Sequence, residues 1–410
     1  MRPVLFRNAR LIDPATGSDT RGDLLVAERE IAAVGAKLSA PADADIINAD
    51  GKVLAPGLID SCVFRTDVAA AVAGGITSVL LMPDQSPPLD DPALIERAER
   101  LGKPRLWVRP LAAATRGLNG RELAELRLMR DVGAVAVATG REAIADAQVM
   151  LRLLRYAAGL GLVVIAHAEC PALTAGAVAT EGDYATRLGL PSAPAAAEAI
   201  QIARDLRLAR EAGAALHFAC VSTAEGVSLI RDAKATGQDV SAGTAPAYAL
   251  LCETALAGYR SYARLSPPLR DEADRLAIRA GLADGTISIL ASRHDPRTGE
   301  EKRQPFADAA PGAAGCATLL ALGLALVHDG VLSLPRLLAA LSANPARRFA
   351  LPGGSLAPGA PADLLLFDPD APWRIDADTL PGLSGNTPFD GLPVSGRVLR
   401  LLKGGETVMP

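Results

Sequence analysis

The side chains able to do chemistry in this chain are few, and they sit at the ends of apolar runs. Ile165-Ala166-His167-Ala168-Glu169 carries one histidine out of such a run. Ala55-Pro56-Gly57-Leu58-Ile59-Asp60-Ser61-Cys62-Val63-Phe64-Arg65 carries Cys62 and Phe64, two apart and so on one face of a strand. Phe218-Ala219-Cys220 offers a second thiol, and Ser292-Arg293-His294-Asp295 a cluster of charge. Cys62, His167 and Cys220 brought together would be a Cys2His set of the kind that holds zinc. Each also has a plainer role: a lone cysteine in an apolar strand is a small core residue, and a histidine there is a hydrogen-bonded core group. Arg293 works against a metal. It accepts no proton at neutral pH. It would oppose a divalent cation ~4 Å away by about 4 kcal/mol per unit charge at an effective dielectric near 20. Asp295 is expected to face away from Arg293 and is not taken as a base.

These residues need elements to position them. Strand-like runs cover 58–64, 76–82, 105–111, 134–138, 162–168, 215–222, 239–244 and 286–292, with amphipathic helical patterns at 141–158, 195–212 and 224–236. Helices at 313–327 and 334–343 close the series. Alternation of this kind predicts an α/β protein, a (β/α)8 TIM-type barrel over residues 56–349. Chemistry in such barrels sits at the carboxyl ends of the strands, where Cys62, Asp84, His167, Cys220 and Arg293 all fall. Short alternating strands at both ends of the chain, within 1–55 and 350–410, predict a small β-sandwich domain built from the two segments together.

Composition narrows the function classes. The chain has 410 residues, half of them hydrophobic, and a formal net charge of −4. No basic run or basic–aromatic stripe is present, which argues against nucleic acid and acidic membrane surfaces as partners. No run of 18 apolar residues indicates a membrane span. The five cysteines show no paired spacing, so a reduced, cytoplasmic protein is expected.

Several runs together resemble the bacterial dihydroorotases of the amidohydrolase superfamily over essentially the full length. They are Met82-Pro83-Asp84-Gln85-Ser86-Pro87-Pro88, the His167-Ala168-Glu169 run, Arg187-Leu188-Gly189-Leu190-Pro191 through Ala197-Glu198, and Val221-Ser222-Thr223-Ala224-Glu225. Pro267-Pro268-Leu269-Arg270, Leu282–Ile287, Asn344-Pro345-Ala346-Arg347, Gly359–Asp363 and Asn386-Thr387-Pro388-Phe389 continue the likeness. The resemblance implies hydrolysis or closure of a cyclic amide by a metal-bound water, with a carboxylate on the last strand moving the proton.

The same resemblance locates departures. The family's His-x-His is Cys62 and Phe64 here, and its sixth-strand histidine is Cys220. The fourth strand, Ala136-Val137-Ala138-Thr139-Gly140, offers no ligand. Arg293 stands at the catalytic Asp, and Thr244–Tyr248 replaces Pro-His-His. At the substrate positions, Asp84 replaces an amide, Ser266 replaces an Asn, and Arg65 is followed by a shortened loop. Two readings follow. In the first, the chain resembles the inactive dihydroorotase-like proteins: no catalytic residue, no substrate site, no metal or other cofactor. It would then be a structural partner of the aspartate transcarbamoylase catalytic subunit in pyrimidine biosynthesis, itself forming a homo-oligomer, a dimer, within a larger complex. In the second, it is an active cyclic amidohydrolase of dihydroorotase, allantoinase or hydantoinase type, with zinc in an altered Cys/His site.

Overall fold

The structure, a computed structural model, describes residues 2–409. Eight parallel strands follow in chain order: β1 (Leu58–Val63), β2 (Ile76–Leu81), β3 (Trp107–Pro110), β4 (Val137–Ala138), β5 (Val164–Ala166), β6 (Leu216–Phe218), β7 (Val240–Thr244) and β8 (Ile289–Leu290). Neighbours pair in sequence order, β1 with β2, β2 with β3, and β4 through β8 in turn. The Val135 amide donates to the Pro110 carbonyl and joins β3 to β4. The ring closes where the Phe64 amide donates to the His294 carbonyl and the Ser292 amide to the buried Asp60 carboxylate. This is the (β/α)8 barrel that the alternation predicts.

β1 and β2 are buried at every position, as parallel strands covered on both faces must be. One set of side chains fills the barrel interior: Ile59, Cys62, Phe64, Leu80, Met82, Ile165 and Ile289 belong to it. A far larger cluster lies between the strands and the surrounding helices. Helix ends follow the sequence. Asp146 caps the helix Ala147–Leu160 with its side chain, and Gly161, at φ 68°, ends it. Thr223 caps Ala224–Ala235.

Two expected helices begin later than their apolar pattern. The pattern at 141 does not become helix until Ala147, because Asp146 accepts from the Gln148 and Val149 amides. Residues 141–146 are therefore left to cross the barrel mouth. The helix expected from 313 starts at Leu319, after a 3-10 turn at Cys316–Thr318. The Gly315 and Cys316 amides are turned instead onto Nδ1 of His294.

Beside the barrel stands one sheet made from both ends of the chain. Its strands lie in the order 406–409, 393–403, 364–374, 53–56, 4–13, 18–27 and 30–35, with 45–48 also on the 4–13 strand. One face carries its own core, including Phe6, Leu24, Ile31, Leu54, Leu364 and Leu402. Alternate residues of the same strands, Ile12, Val53, Ala55, Leu365 and Leu401, join the barrel cluster. The two-residue period thus fastens the sheet to the barrel.

Candidate functional site

A cavity of about 550 Å³ opens at the carboxyl ends of the barrel strands. Arg141, Glu142, Glu169, Arg264, Arg293 and Asp295 supply its charge, His167 an imidazole, and Phe64, Tyr248, Leu265, Leu322 and Phe389 much of its apolar wall.

His167 follows β5 and is almost fully buried. Its Nε2 lies 3.3 Å from Oε2 of Glu169. Oε1 of that carboxylate accepts from Arg270 Nη2 at 3.0 Å. Burial pushes the Glu169 carboxyl up, but the hydrogen bond to His167 and the charges of His167 and Arg270 outweigh it and hold it below the usual range. Arg270 is itself 3% exposed. It also donates to Ser222 Oγ and Thr180 Oγ1, and approaches Glu198 at 3.7 Å. Glu198 has no exposed surface and accepts the Ser222 and Thr223 amides and hydroxyls. The chain His167–Glu169–Arg270–Glu198 ties the ends of β5 and β6 to the helix Ala196–Ala212.

Glu169 is a carboxylate on the cavity wall that the sequence reading did not single out. The signal was present in the sequence: Glu169 is two residues from His167 and so on the same side of an extended chain. The expectation for Asp295 is corrected. It lies two positions beyond Arg293, and both line the cavity. Asp295 is held in ion pairs with Arg141 and, at 2.7 Å, with Arg297.

Arg293 adopts φ 51°, a left-handed backbone rare for a residue with a Cβ. Its Nη2 donates to the Ser266 carbonyl at 2.7 Å, and its Nη1 lies 3.9 Å from Cys62 Sγ. Phe64 lies between cations, with the Arg141 guanidinium 4.0 Å and the Arg293 guanidinium 5.5 Å from its ring centroid. Contacts of this kind contribute about 0.5–2 kcal/mol each. Phe64 therefore does more than pack.

The remaining sequence candidates are dispersed. Asp84 is outside the cavity wall, half-buried, accepting the Arg141 amide at 2.8 Å; burial raises its carboxyl pKa. Arg65 is exposed and outside the wall. Ser266 lines the cavity and offers its carbonyl to Arg293. His217 is buried, with Nδ1 2.8 Å from Ser241 Oγ and its ring edge-on to Phe349.

The donor set does not fit the zinc that the resemblance implies. Cys62 and Cys220 are fully buried, and burial pushes their thiols up to about 12 and about 11. Arg293 stands against Cys62, and Phe64 offers no donor. Among the described residues, no group of three or more His, Cys, Asp or Glu side chains is placed to hold a metal ion.

A barrel of this closure with its cavity at the strand ends matches the model of the amidohydrolase family over residues 54–408, and the chain belongs to that family. Its relatives include a dihydroorotase of Pelobacter propionicus, 40% identical with 99% of each chain covered. Another dihydroorotase, of Pelotomaculum thermopropionicum, is 40% identical over 99% of this chain and 98% of its own. Among solved structures, the L-hydantoinase (dihydropyrimidinase) of Arthrobacter aurescens superposes with a TM-score of 0.89 at 28% identity, covering 100% of this chain and 96% of that one. These full-length relatives overturn the expectation of a non-enzyme: they point to an active cyclic amidohydrolase. The substitutions that prompted that expectation remove the family's metal donors, but they leave His167 and Glu169 paired inside an open cavity. No helix among the described residues is long and apolar enough to cross a membrane.

Proposed function

We propose that the chain opens or closes a cyclic amide at the barrel mouth, with His167 moving the proton and Glu169 orienting and charging it. The observation that carries this reading is the buried His167–Glu169 contact, braced by Arg270, on the wall of the strand-end cavity. In the opening direction His167 takes a proton from water as the oxygen attacks the ring carbonyl. It then returns that proton to the ring nitrogen as the C–N bond breaks. The product is one open-chain molecule that carries a ureido or amide nitrogen at one end of the broken bond and a carboxylic acid, which ionises, at the other. Glu169, a carboxylate at neutral pH, stabilises the imidazolium formed in between. The fixed positive charge of Arg293 on the same wall is placed to favour the oxyanion.

The substrate class follows the names of the relatives: dihydroorotate, hydantoins and dihydropyrimidines. Ring opening of each, followed by chromatography, tests the reading. His167→Asn should abolish turnover while leaving the circular dichroism spectrum unchanged. Undiminished turnover in that variant would refute it.

Assembly is a separate proposal, supported by the sequence resemblance to partner-binding dihydroorotase-like proteins. The chain would form a homodimer that associates with the aspartate transcarbamoylase catalytic subunit. Native mass spectrometry of the two proteins mixed would show the joint species; two separate mass series at micromolar concentration would remove the proposal.

A further inference from the structure

Residues 141–146 form a strap across the barrel mouth, tied at both ends. Arg141, Glu142 and Ala143 line the cavity. At the first end the Arg141 amide donates to Asp84, and its guanidinium pairs with Asp295 and lies over the Phe64 ring. At the second end the helix Ala147–Leu160 begins, capped by Asp146. The Ile144 and Ala145 carbonyls stand just ahead of that cap, so the helix has no donor for them. Arg204 supplies two. Its Nη2 donates to the Ile144 carbonyl at 2.7 Å and its Nη1 to the Ala145 carbonyl at 2.8 Å.

Arg204 belongs to another element, the helix Ala196–Ala212. Consecutive residues on a helix do not ordinarily face each other. Here the guanidinium folds back, and Nε and Nη2 reach Oδ1 of Asp205 at 2.9 and 2.7 Å. Oδ2 of that carboxylate accepts from Gln201, one turn earlier, at 3.0 Å. Asp205 is 1% exposed. A carboxylate so deeply buried costs stability that an apolar side chain would not. Its hydrogen bonds go to Gln201 and Arg204, and their effect is to fix the guanidinium fork with its remaining donors aimed at the strap. Burial pushes the Asp205 carboxyl up to about 6, against the charge of Arg204 and the hydrogen bonds from Arg204 and Gln201. The helices Ala147–Leu160 and Ala224–Ala235, which pack on the same helix, add no further charge to that balance among the described residues.

We propose that Arg204 and Asp205 are positioning residues of the site: Asp205 aims Arg204, Arg204 latches the strap, and the strap keeps Arg141 and Glu142 on the cavity wall. Neither latch residue lines the cavity, so both act through the strap. The latch itself stands on geometry alone, and only its effect on turnover rests on the cyclic-amide reading. His167 and Glu169 belong to a different part of the wall, so releasing the strap should alter substrate binding more than the chemical step.

Trypsin digestion of the full chain, followed by mass spectrometry, tests the latch. Trypsin must draw the Arg141 side chain into its own pocket, so cleavage after Arg141 reports a strap that has left Asp295. Cleavage after exposed Arg29 is the reference, and cleavage after buried Arg270 reports global unfolding. Arg204→Met and Asp205→Asn should each speed cleavage after Arg141 by about tenfold or more relative to Arg29, with Arg270 still protected. Arg204→Lys should restore part of the protection. Asp205→Asn is the milder change and keeps the test open if Arg204→Met does not fold. In wild type the same ratio should rise between about pH 7.5 and pH 5.5, as Asp205 takes a proton. Asp84, at the other end of the strap, is also pushed up by burial, so the rise should be smaller, not absent, in Asp205→Asn. On a cyclic amide that the wild type opens, the variants should raise KM by about fivefold or more and change kcat little. Unchanged cleavage after Arg141, cleavage that rises equally after Arg270, or a released strap with unchanged KM would each overturn the proposal. A wild type that opens no cyclic amide would remove the catalytic reading, and proteolysis would still decide the latch.

Discussion

Arg270→Met is the sharpest probe of how this site is built. The guanidinium is 3% exposed and satisfies three elements at once: Glu169 at 3.0 Å, Ser222 Oγ at 3.0 Å and Thr180 Oγ1 at 3.1 Å. Methionine fills similar volume without charge. It would leave Glu169, 5% exposed, and Glu198, fully buried, without the arginine they share. Breaking one side of a buried ionic network costs about 3–5 kcal/mol, because the remaining charge keeps its desolvation penalty. Glu198 keeps its hydroxyl and amide donors, so the loss should fall mainly on Glu169.

The pH dependence has a definite sign. Glu169 is held below its ordinary range although burial pushes the other way, and the charge of Arg270 is one of the forces holding it there. Without Arg270 part of that hold is lost, and the folded carboxyl pKa is higher in the variant than in wild type. A depressed folded pKa contributes stability that is present above the unfolded pKa and lost as pH falls through the folded one, so the variant lacks part of a contribution that wild type has at neutral pH. The variant's deficit should therefore be large at pH 7 and shrink towards pH 4.5. Urea denaturation of both proteins, followed by circular dichroism at the two pH values, measures it. A deficit below about 1 kcal/mol at pH 7, or one that grows on acidification, would refute the argument.

Further outcomes follow from other contacts. Burial depresses His217 to about 3, so the folded imidazole stays neutral where the unfolded one, near 6.5, takes a proton. Stability should fall by up to about 1.4 kcal/mol per pH unit below 6.5 in wild type, and less steeply in His217→Gln, by the same urea titration. Gly74→Ala would put a Cβ 2.0 Å from the Cys316 carbonyl oxygen, so the helix Val68–Ala73 must shift; a loss of about 1–3 kcal/mol should appear as a lower thermal midpoint. Because Cys62 and Cys220 do not form a donor cluster, a chelator should change neither the thermal midpoint nor turnover. Loss of either on chelation, restored by zinc, would overturn that fit.

Strand and helix alternation, read from residues 58 to 343, determined the barrel. A parallel strand buried on both faces must be apolar throughout, and a helix lying on it must be apolar on one side, so both periods are written locally. The β segments at 4–35 and 364–409 were equally plain, although only the folded chain shows Leu365 pairing with Ala55. The order of short motifs pointed to the family. It was also legible that the usual metal donors were replaced at Cys62, Phe64 and Cys220.

What replaced them was not legible. That Glu169 meets Arg270 a hundred and one positions away, and that Arg141 crosses the mouth to Asp295, depend on loops whose paths no periodicity records. The late helix start at Ala147 frees Arg141 for that crossing, and the φ of 51° at Arg293 is a local backbone state set by its surroundings. Sequence spacing places charges along a chain, whereas their neutralisation is a property of space. Which charges are paired, and with what, is decided only when the strand ends are brought into a ring.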